Sequence, residues 1–80
     1  MDDSEIVQRI HQLVEDEHQL NSMHEGELAT EDDRRRMREL EVALDQCWDL
    51  LRQRRARRSA GLPADDAEVR TEGVVEGYQQ

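Results

Sequence analysis

The stretch that decides the fold is residues 44–58, LDQCWDLLRQRRARR, which holds the only Cys, the only Trp and five of the eleven basic residues of the chain. Leu44, Cys47 and Leu51 recur at spacings of three and four residues, the period of one face of an α-helix. The same period extends back to Leu40. We therefore predict a long amphipathic helix through this stretch.

The flanking residues predict bounds of 31–60 for this helix. Thr30 can accept a hydrogen bond from the backbone of the first turn, and Asp33 completes a variant of the capping box. Gly61 can end the helix in a left-handed conformation, and Pro63 prevents its continuation. Start and stop signals thus agree with the hydrophobic period.

A second amphipathic helix is predicted over residues 4–25. Its apolar residues at helical spacing are Ile6, Ile10, Leu13 and Leu20. Asp2 or Ser4 can cap the start of the helix, and Gly26 can stop it.

The connection between these helices is only four or five residues long, which favours antiparallel neighbours. Ile6 then lies near Leu51, and Leu13 lies near Leu44. Residues 1–61 are therefore predicted to form an all-α antiparallel helical hairpin.

Length, charge and cysteine content limit the class of protein. The 80 residues can form at most one small domain, and a chain of this size buries too little surface to be comfortably stable without a staple or a partner. The single Cys cannot form an internal disulfide, and no secretory signal precedes the acidic start, so we expect a cytoplasmic protein. No apolar run approaches the roughly 20 residues of a membrane span, and the net charge is −9.

Residues 62–80 lack a sustained hydrophobic period and are predicted to form a partly ordered acidic tail. One helical turn is expected at 64–69. The apolar group of the tail is Val74, Val75 and Tyr78. These side chains could anchor the tail on the hairpin or remain free for a partner.

A weak metal-site pattern lies in the first helix. Glu15 and His18 have the Glu-x-x-His spacing of di-iron carboxylate bundles, but the register places both on the outer face. Glu17 is nearer the seam, where we expect it to pair with an Arg such as Arg36. Cys47 is expected to be a buried, inert thiol. We therefore expect no metal and no cofactor, with a metal or redox site as the alternative.

Trp48 flanks the helix seam one turn before Arg52. Its indole could lie beneath that guanidinium or anchor a protein interface, and the two roles are compatible. The basic run continues with Arg54, Arg55, Arg57 and Arg58. Such a run can bind nucleic acid, but the negative net charge and the lack of stacking aromatics favour a structural role at the helix C-terminus.

Some apolar side chains extend beyond what one neighbouring helix covers, namely Val7, Val14, Trp48 and Leu50. A second hairpin would cover them, so we expect a homodimeric four-helix bundle. Beside Trp48, an acidic stripe at i,i+4 spacing calls for a cationic neighbour from this chain or from a partner. Its members are Glu41, Asp45 and Asp49.

The runs ALDQCWDLLRQRRARRSAGLP, EDEHQL and VRTEGVVEGYQQ resemble a small family of uncharacterised actinobacterial proteins, domain of unknown function 2630. The resemblance covers nearly the whole chain. It implies a short, intracellular helical protein and assigns no catalytic residue.

No catalytic constellation or phosphate-binding loop can be assembled from the sequence. We therefore expect a non-enzymatic interaction module that binds itself, an unknown protein partner, or both, without a membrane or nucleic-acid partner. The residues expected to make these interactions are Trp48, Arg52, Arg54, Arg55, Arg58, Val74, Val75 and Tyr78.

Overall fold

The computed structural model describes residues 1–23 and 30–77, and all the regular structure within them is helical. The elements are α1 (Asp3–Met23), α2 (Glu31–Ser59), a short 3-10 helix (Ala64–Asp66) and α3 (Glu72–Gly77). The start of α1 pairs with the end of α2, which makes these two helices antiparallel. This confirms the predicted all-α helical hairpin.

Both long helices begin at capping boxes. In α1, Asp2 accepts a hydrogen bond from the Glu5 backbone at 2.8 Å, while the Glu5 carboxylate accepts one from the Asp2 backbone at 3.2 Å. In α2, Thr30 and Asp33 make the same reciprocal pair at 3.1 and 3.0 Å. Each box satisfies backbone donors that the helix itself leaves unpaired. Gly26, the predicted stop of the first helix, lies outside the described residues.

The core lies along the seam between α1 and α2. Ile6 and Ile10 of α1 pack with Leu50 and Leu51 of α2, and all four side chains are buried. Burying a side chain of this size contributes about 1.5 to 3 kcal/mol relative to leaving it exposed. Further partly buried residues that pack on this cluster are Leu44, Cys47 and Ala67.

The chain reverses direction at Gly61, where φ is +75°, a conformation that favours glycine. The Gly61 N–H donates to the Arg58 carbonyl at 3.1 Å, and the Leu62 N–H donates to the Arg57 carbonyl at 2.8 Å. These are the two bonds of a Schellman motif. The reversal sends the following residues back along α2.

The docked segment, as we call residues 62–77, packs on α2 through the 3-10 helix and α3. Val75 of α3 is only 2% exposed, whereas its neighbour Val74 is 48% exposed. The 3-10 helix Ala64–Asp66 lies within the stretch where one helical turn was expected, and α3 was not predicted. Tyr78, the third apolar residue of the tail, lies outside the described residues.

Candidate interaction site

The docked segment is held by side chains of α2 that reach its backbone. Gln53 donates to the Glu68 carbonyl at 2.7 Å, and Gln46 donates to the Arg70 carbonyl at 3.2 Å. The two glutamines are seven residues apart, so they lie on one side of α2. These side chains bind backbone carbonyls in the docked segment, along an extended stretch that has no hydrogen bonds within a helix of its own.

Arg54 joins three parts of the chain at the end of the hairpin. Its side chain is buried, and it donates from Nε to Asp3 at 2.6 Å and from Nη1 to Asp65 at 3.1 Å. Arg58 also donates to Asp3. Hydrogen bonds from Arg58 and Arg54 lower the pKa of Asp3 from 3.8 to about 2. The start of α1 and the start of the docked segment are therefore fixed to one guanidinium group.

The remaining arginines of the run divide into two kinds. Arg57 donates to the Pro63 carbonyl at 2.8 Å and lies 3.5 Å from the Asp66 carboxylate. Arg52 and Arg55 are exposed, and neither forms an ion pair with a residue that the structure describes. Three of the five arginines thus pair with acids of the same chain, and two have no ion pair with a described residue.

An apolar surface remains uncovered beside Arg52. Trp48 is 43% exposed, Val14 is 50% exposed and Val7 is 36% exposed. Within residues 1–23 and 30–77, no guanidinium stacks on the indole, so the expected cover by Arg52 is not found. We call Val7, Val14 and Trp48 the open face.

Helical geometry puts these three residues on one side of the hairpin. At about 100° per residue, Val7 and Val14 lie roughly 80 to 100° round α1 from Ile6. Trp48 lies about 60° round α2 from Leu51, and in an antiparallel hairpin this is toward the same side. The docked segment is held by α2 residues that face away from this side, namely Gln46, Gln53 and Arg54, and Trp48 remains exposed.

Leu50 does not belong to the uncovered set in which the sequence placed it. It is 6% exposed and part of the core cluster with Ile6 and Ile10. The reason is its direction, since position 50 lies about 100° from Leu51 in the sense opposite to Trp48. Leu50 therefore faces the side on which the docked segment returns.

The acidic stripe of α2 meets different partners along its length. Asp49 is buried, accepts a hydrogen bond from Gln53 at 2.9 Å and lies 3.6 Å from Arg70 of the same chain. One turn earlier, Asp45 lies beside Glu76 of α3, a further carboxylate. The expected cationic neighbour therefore exists at Asp49, whereas Asp45 has an acidic one.

Glu76 is the least well satisfied acid that the structure describes. Its Oε1 atom is buried and accepts no hydrogen bond from the described residues. Burial raises the pKa of Glu76, a side-chain hydrogen bond with Asp45 raises it further, and the negative charges of Asp45, Glu72 and Glu41 add to the shift. Four carboxylates therefore meet beside the middle of α2.

The residues of the alternative metal site are not brought together. Glu15 and His18 are exposed and Glu17 is half-buried, and the described part of the chain contains no group of three potential ligands. Arg36 lies 3.8 Å from Glu39 rather than beside Glu17, so that expected pair is wrong. An i,i+3 partner on its own helix is within easier reach for Arg36.

Cys47 is half-buried at the helix seam. Burial raises the pKa of its thiol, and the positive charge of Arg9 lowers it by less. A raised pKa keeps the thiol protonated near neutral pH, which makes it a poor nucleophile and a poor metal ligand.

The described helices include none long and apolar enough to cross a membrane. Fold and site together define a small all-α protein: a helical hairpin with a docked C-terminal segment on one side and an open apolar face on another. Residues 2–80 match the family described as protein of unknown function (DUF2630), and the chain belongs to that family.

The relatives carry the resemblance noted in the sequence. The chain is 43% identical over 77 residues to an uncharacterized protein of Mycobacterium bovis and to uncharacterized proteins of two Mycobacterium tuberculosis strains. Each match covers 95% of this chain and 88% of the relative. These are actinobacterial proteins, as the resemblance implied. No solved structure matches the chain.

Several contacts were not foreseen from the sequence. The pairing of Arg54 with Asp65, the pairing of Arg70 with Asp49 and the two glutamine contacts all involve the docked segment. The only available signal was chemical, because the tail supplies acids opposite the arginine run. Nothing in the hydrophobic pattern specifies the register of an extended segment.

Proposed function

We propose that this protein is a non-enzymatic helical interaction module of the cytoplasm. Its first partner is a second copy of itself, joined through the open face to form a four-helix bundle. Through that homodimer it serves as a scaffold or accessory to a larger protein. The proposal assigns no cofactor, membrane or nucleic-acid partner.

The observation that carries this proposal is the exposure of Trp48 on the side of α2 that the docked segment leaves uncovered. Trp is the residue most enriched in the centres of protein interfaces, and clustered apolar side chains on a small surface mark such sites. Val7 and Val14 extend that surface across to α1. A second hairpin is the occupant of matching length and shape.

The state of the arginines supports this reading over a nucleic-acid accessory. Arg54, Arg57 and Arg58 are occupied by carboxylates of the same chain. A phosphate backbone would have to compete with these partners, and the net charge of −9 opposes its approach. Within the basic run, only Arg52 and Arg55 are exposed without an ion pair to a described residue.

Analytical ultracentrifugation over a concentration series, with Trp48 fluorescence recorded on the same samples, tests the proposal. The expected result is a reversible dimer with dissociation in about the micromolar range. The emission of the single Trp should shift to shorter wavelength as the dimer forms, because the indole leaves water.

Trp48→Ala should abolish association, whereas Val74→Ala, which removes a similarly exposed side chain from α3, should leave it unchanged. Circular dichroism of both variants should remain helical. A folded wild-type monomer at concentrations up to about 100 μM, with the emission of a solvent-exposed Trp, would contradict the proposal.

A further inference from the structure

The open face carries opposite charges at its two ends. Along α2, Glu41, Trp48 and Arg55 follow one another at intervals of seven residues, so they form a stripe on one side of the helix. At 1.5 Å per residue, the acid and the base each lie about 10 Å from the indole. Asp45 and Arg52 flank the Trp at shorter distances on the same two sides.

Neither end is neutralised by the described chain. Arg52 and Arg55 form no ion pair with a described residue, although three arginines beside them do. At the other end, Glu41 and Asp45 lie with Glu72 and Glu76 around a groove of about 510 Å³.

The basic residues that line this groove are Arg35 and Arg38. Arg35 pairs with Asp32 at 3.7 Å, and no ion pair of the described residues joins Arg38 to the four carboxylates. The buried Oε1 of Glu76 has no hydrogen-bond partner among the described residues, and the Glu76 carboxyl is hydrogen-bonded to another acid, Asp45, rather than to a base. The acidic end therefore retains its need for a positive partner.

A two-fold axis brings these ends together. In an isologous interface, residue i of one copy meets residue j of the other, and residue j meets residue i. Suppose that α2 of one copy lies antiparallel to α2 of the other, with the axis at Trp48. The residue seven positions after Trp48 in one copy then faces the residue seven positions before Trp48 in the other copy. Arg55 then faces Glu41 of the second copy, twice in each dimer. A parallel arrangement would instead place Arg55 against Arg55.

We propose that a second copy of this chain docks on the open face about a two-fold axis at Trp48, with the α2 helices antiparallel. Arg55 and Arg52 of each copy then face Glu41 and Asp45 of the other. This inference rests on the proposed homodimer and adds its register. The dimer supplies to each acidic end guanidinium groups that have no ion pair among the described residues.

A charge-exchange experiment on the full-length protein tests the register. Arg55→Glu alone places two acids opposite one another at both ends of the dimer, and Glu41→Arg alone places two bases there. Each should raise the dissociation constant by about tenfold or more, because like charges face each other. Arg9→Glu is the matched control: Arg9 is exposed on α1 and outside the stripe, so the same charge change should leave the constant unchanged.

Mixing the two weakened variants gives the decisive result. A heterodimer of Arg55→Glu with Glu41→Arg has opposite charges at both ends, so it should form with an affinity within about threefold of wild type. Sedimentation of one fluorescently labelled variant titrated with the other measures this directly. Both substitutions are at exposed positions, and helical circular dichroism checks that each monomer folds.

Two outcomes would overturn the inference, and they differ in what they leave standing. A wild-type dimer whose affinity neither single substitution alters, or whose weakened variants do not rescue each other, would refute this register while retaining the homodimer. A wild-type chain that stays monomeric would refute both.

Discussion

Two sides of α2, only a few residues apart, contain the same kinds of side chain in different states. On the covered side, Leu50 is buried and Arg54 and Arg57 are paired with acids. On the open side, Trp48 is exposed, and Arg55 has no ion pair among the described residues. Residue type does not distinguish the two sides. What differs is the direction in which the chain returns after Gly61.

The covered side shows what α2 requires from a neighbour. The docked segment supplies an apolar side chain, Val75, and two carboxylates, Asp65 and Asp66, opposite arginines. The open side offers the same combination of apolar surface and unpaired guanidinium groups. A partner that covers it should therefore also bring apolar and acidic groups, which the stripe from Glu41 to Trp48 of a second copy does.

Among the substitutions on the two sides, Leu51→Ala is expected to lower the free energy of unfolding most. Leu51 is 1% exposed in the seam, so the truncation should lower the free energy of unfolding by about 2 to 5 kcal/mol. Trp48→Ala, measured at concentrations that keep the chain monomeric, should cost less than about 1 kcal/mol. Urea unfolding followed by circular dichroism measures both. Equal losses of unfolding free energy would mean that Trp48 is part of the monomer core and not an exposed residue.

Val75→Ala is expected to have the next largest effect on the free energy of unfolding. Its buried side chain anchors α3, so the substitution should lower the free energy of unfolding by about 2 kcal/mol. Val74→Ala removes the same atoms from an exposed neighbour and should change it by less than about 0.5 kcal/mol. If the two variants have the same midpoint in thermal unfolding, the docked segment does not contribute to the covered side.

The pH dependence of stability should report the ion pairs at the covered end. The pKa of Asp3 falls from 3.8 to about 2 in the folded chain, so its ion pairs contribute stability above pH 3.8 and lose it progressively as the pH drops toward 2. Asp3→Asn should remove this dependence and be less stable than wild type at neutral pH. Urea unfolding at pH 2, 3, 4 and 7 measures the difference. A gap between the two proteins that stays constant with pH would contradict this assignment.

Asp66→Asn is expected to have the smallest effect. Its carboxylate is 3.5 Å from Arg57 and mostly exposed to water, so the pair should contribute no more than about 0.5 kcal/mol. The difference should vanish in about 0.5 M salt, since exposed charges are screened there. A loss of unfolding free energy above about 1 kcal/mol would show that the Arg57 ion pair, like those of Arg54, is important for holding the docked segment on α2.

The hairpin was accessible to sequence reasoning because its signals are local. Spacings of three and four residues predict the two long helices, and the Thr30–Asp33 box marks the start of α2 at the residue where it is found. Gly61 adopts the left-handed conformation that its place before Pro63 suggested. Each of these signals is contained within one or two helical turns.

The covered side was less accessible because it depends on contacts between segments distant in sequence. Leu50 resembles Trp48 in the sequence, since both flank the seam, but Leu50 is buried with Ile6 and Ile10 on the side where the docked segment returns. The backbone carbonyls of Glu68 and Arg70 carry no side-chain signal, although Gln53 and Gln46 bind them. The residues of the open face could be predicted from the sequence. The role of the charge stripe could not, because it depends on contacts with a second copy of the chain.

Across the described elements, α2 packs against every other helix, while α1 packs on neither the 3-10 helix nor α3. Because α3 contacts only α2 among these elements, it can detach without disturbing the seam between α1 and α2. Backbone amides of the different helices should therefore be protected unequally in native-state hydrogen exchange. Amides of α3 should exchange through local opening, and those near Leu51 only through global unfolding. The hairpin joins two helices that are consecutive in the chain, so it should form first, whereas α3, which contacts α2 across the intervening 3-10 helix, should add last.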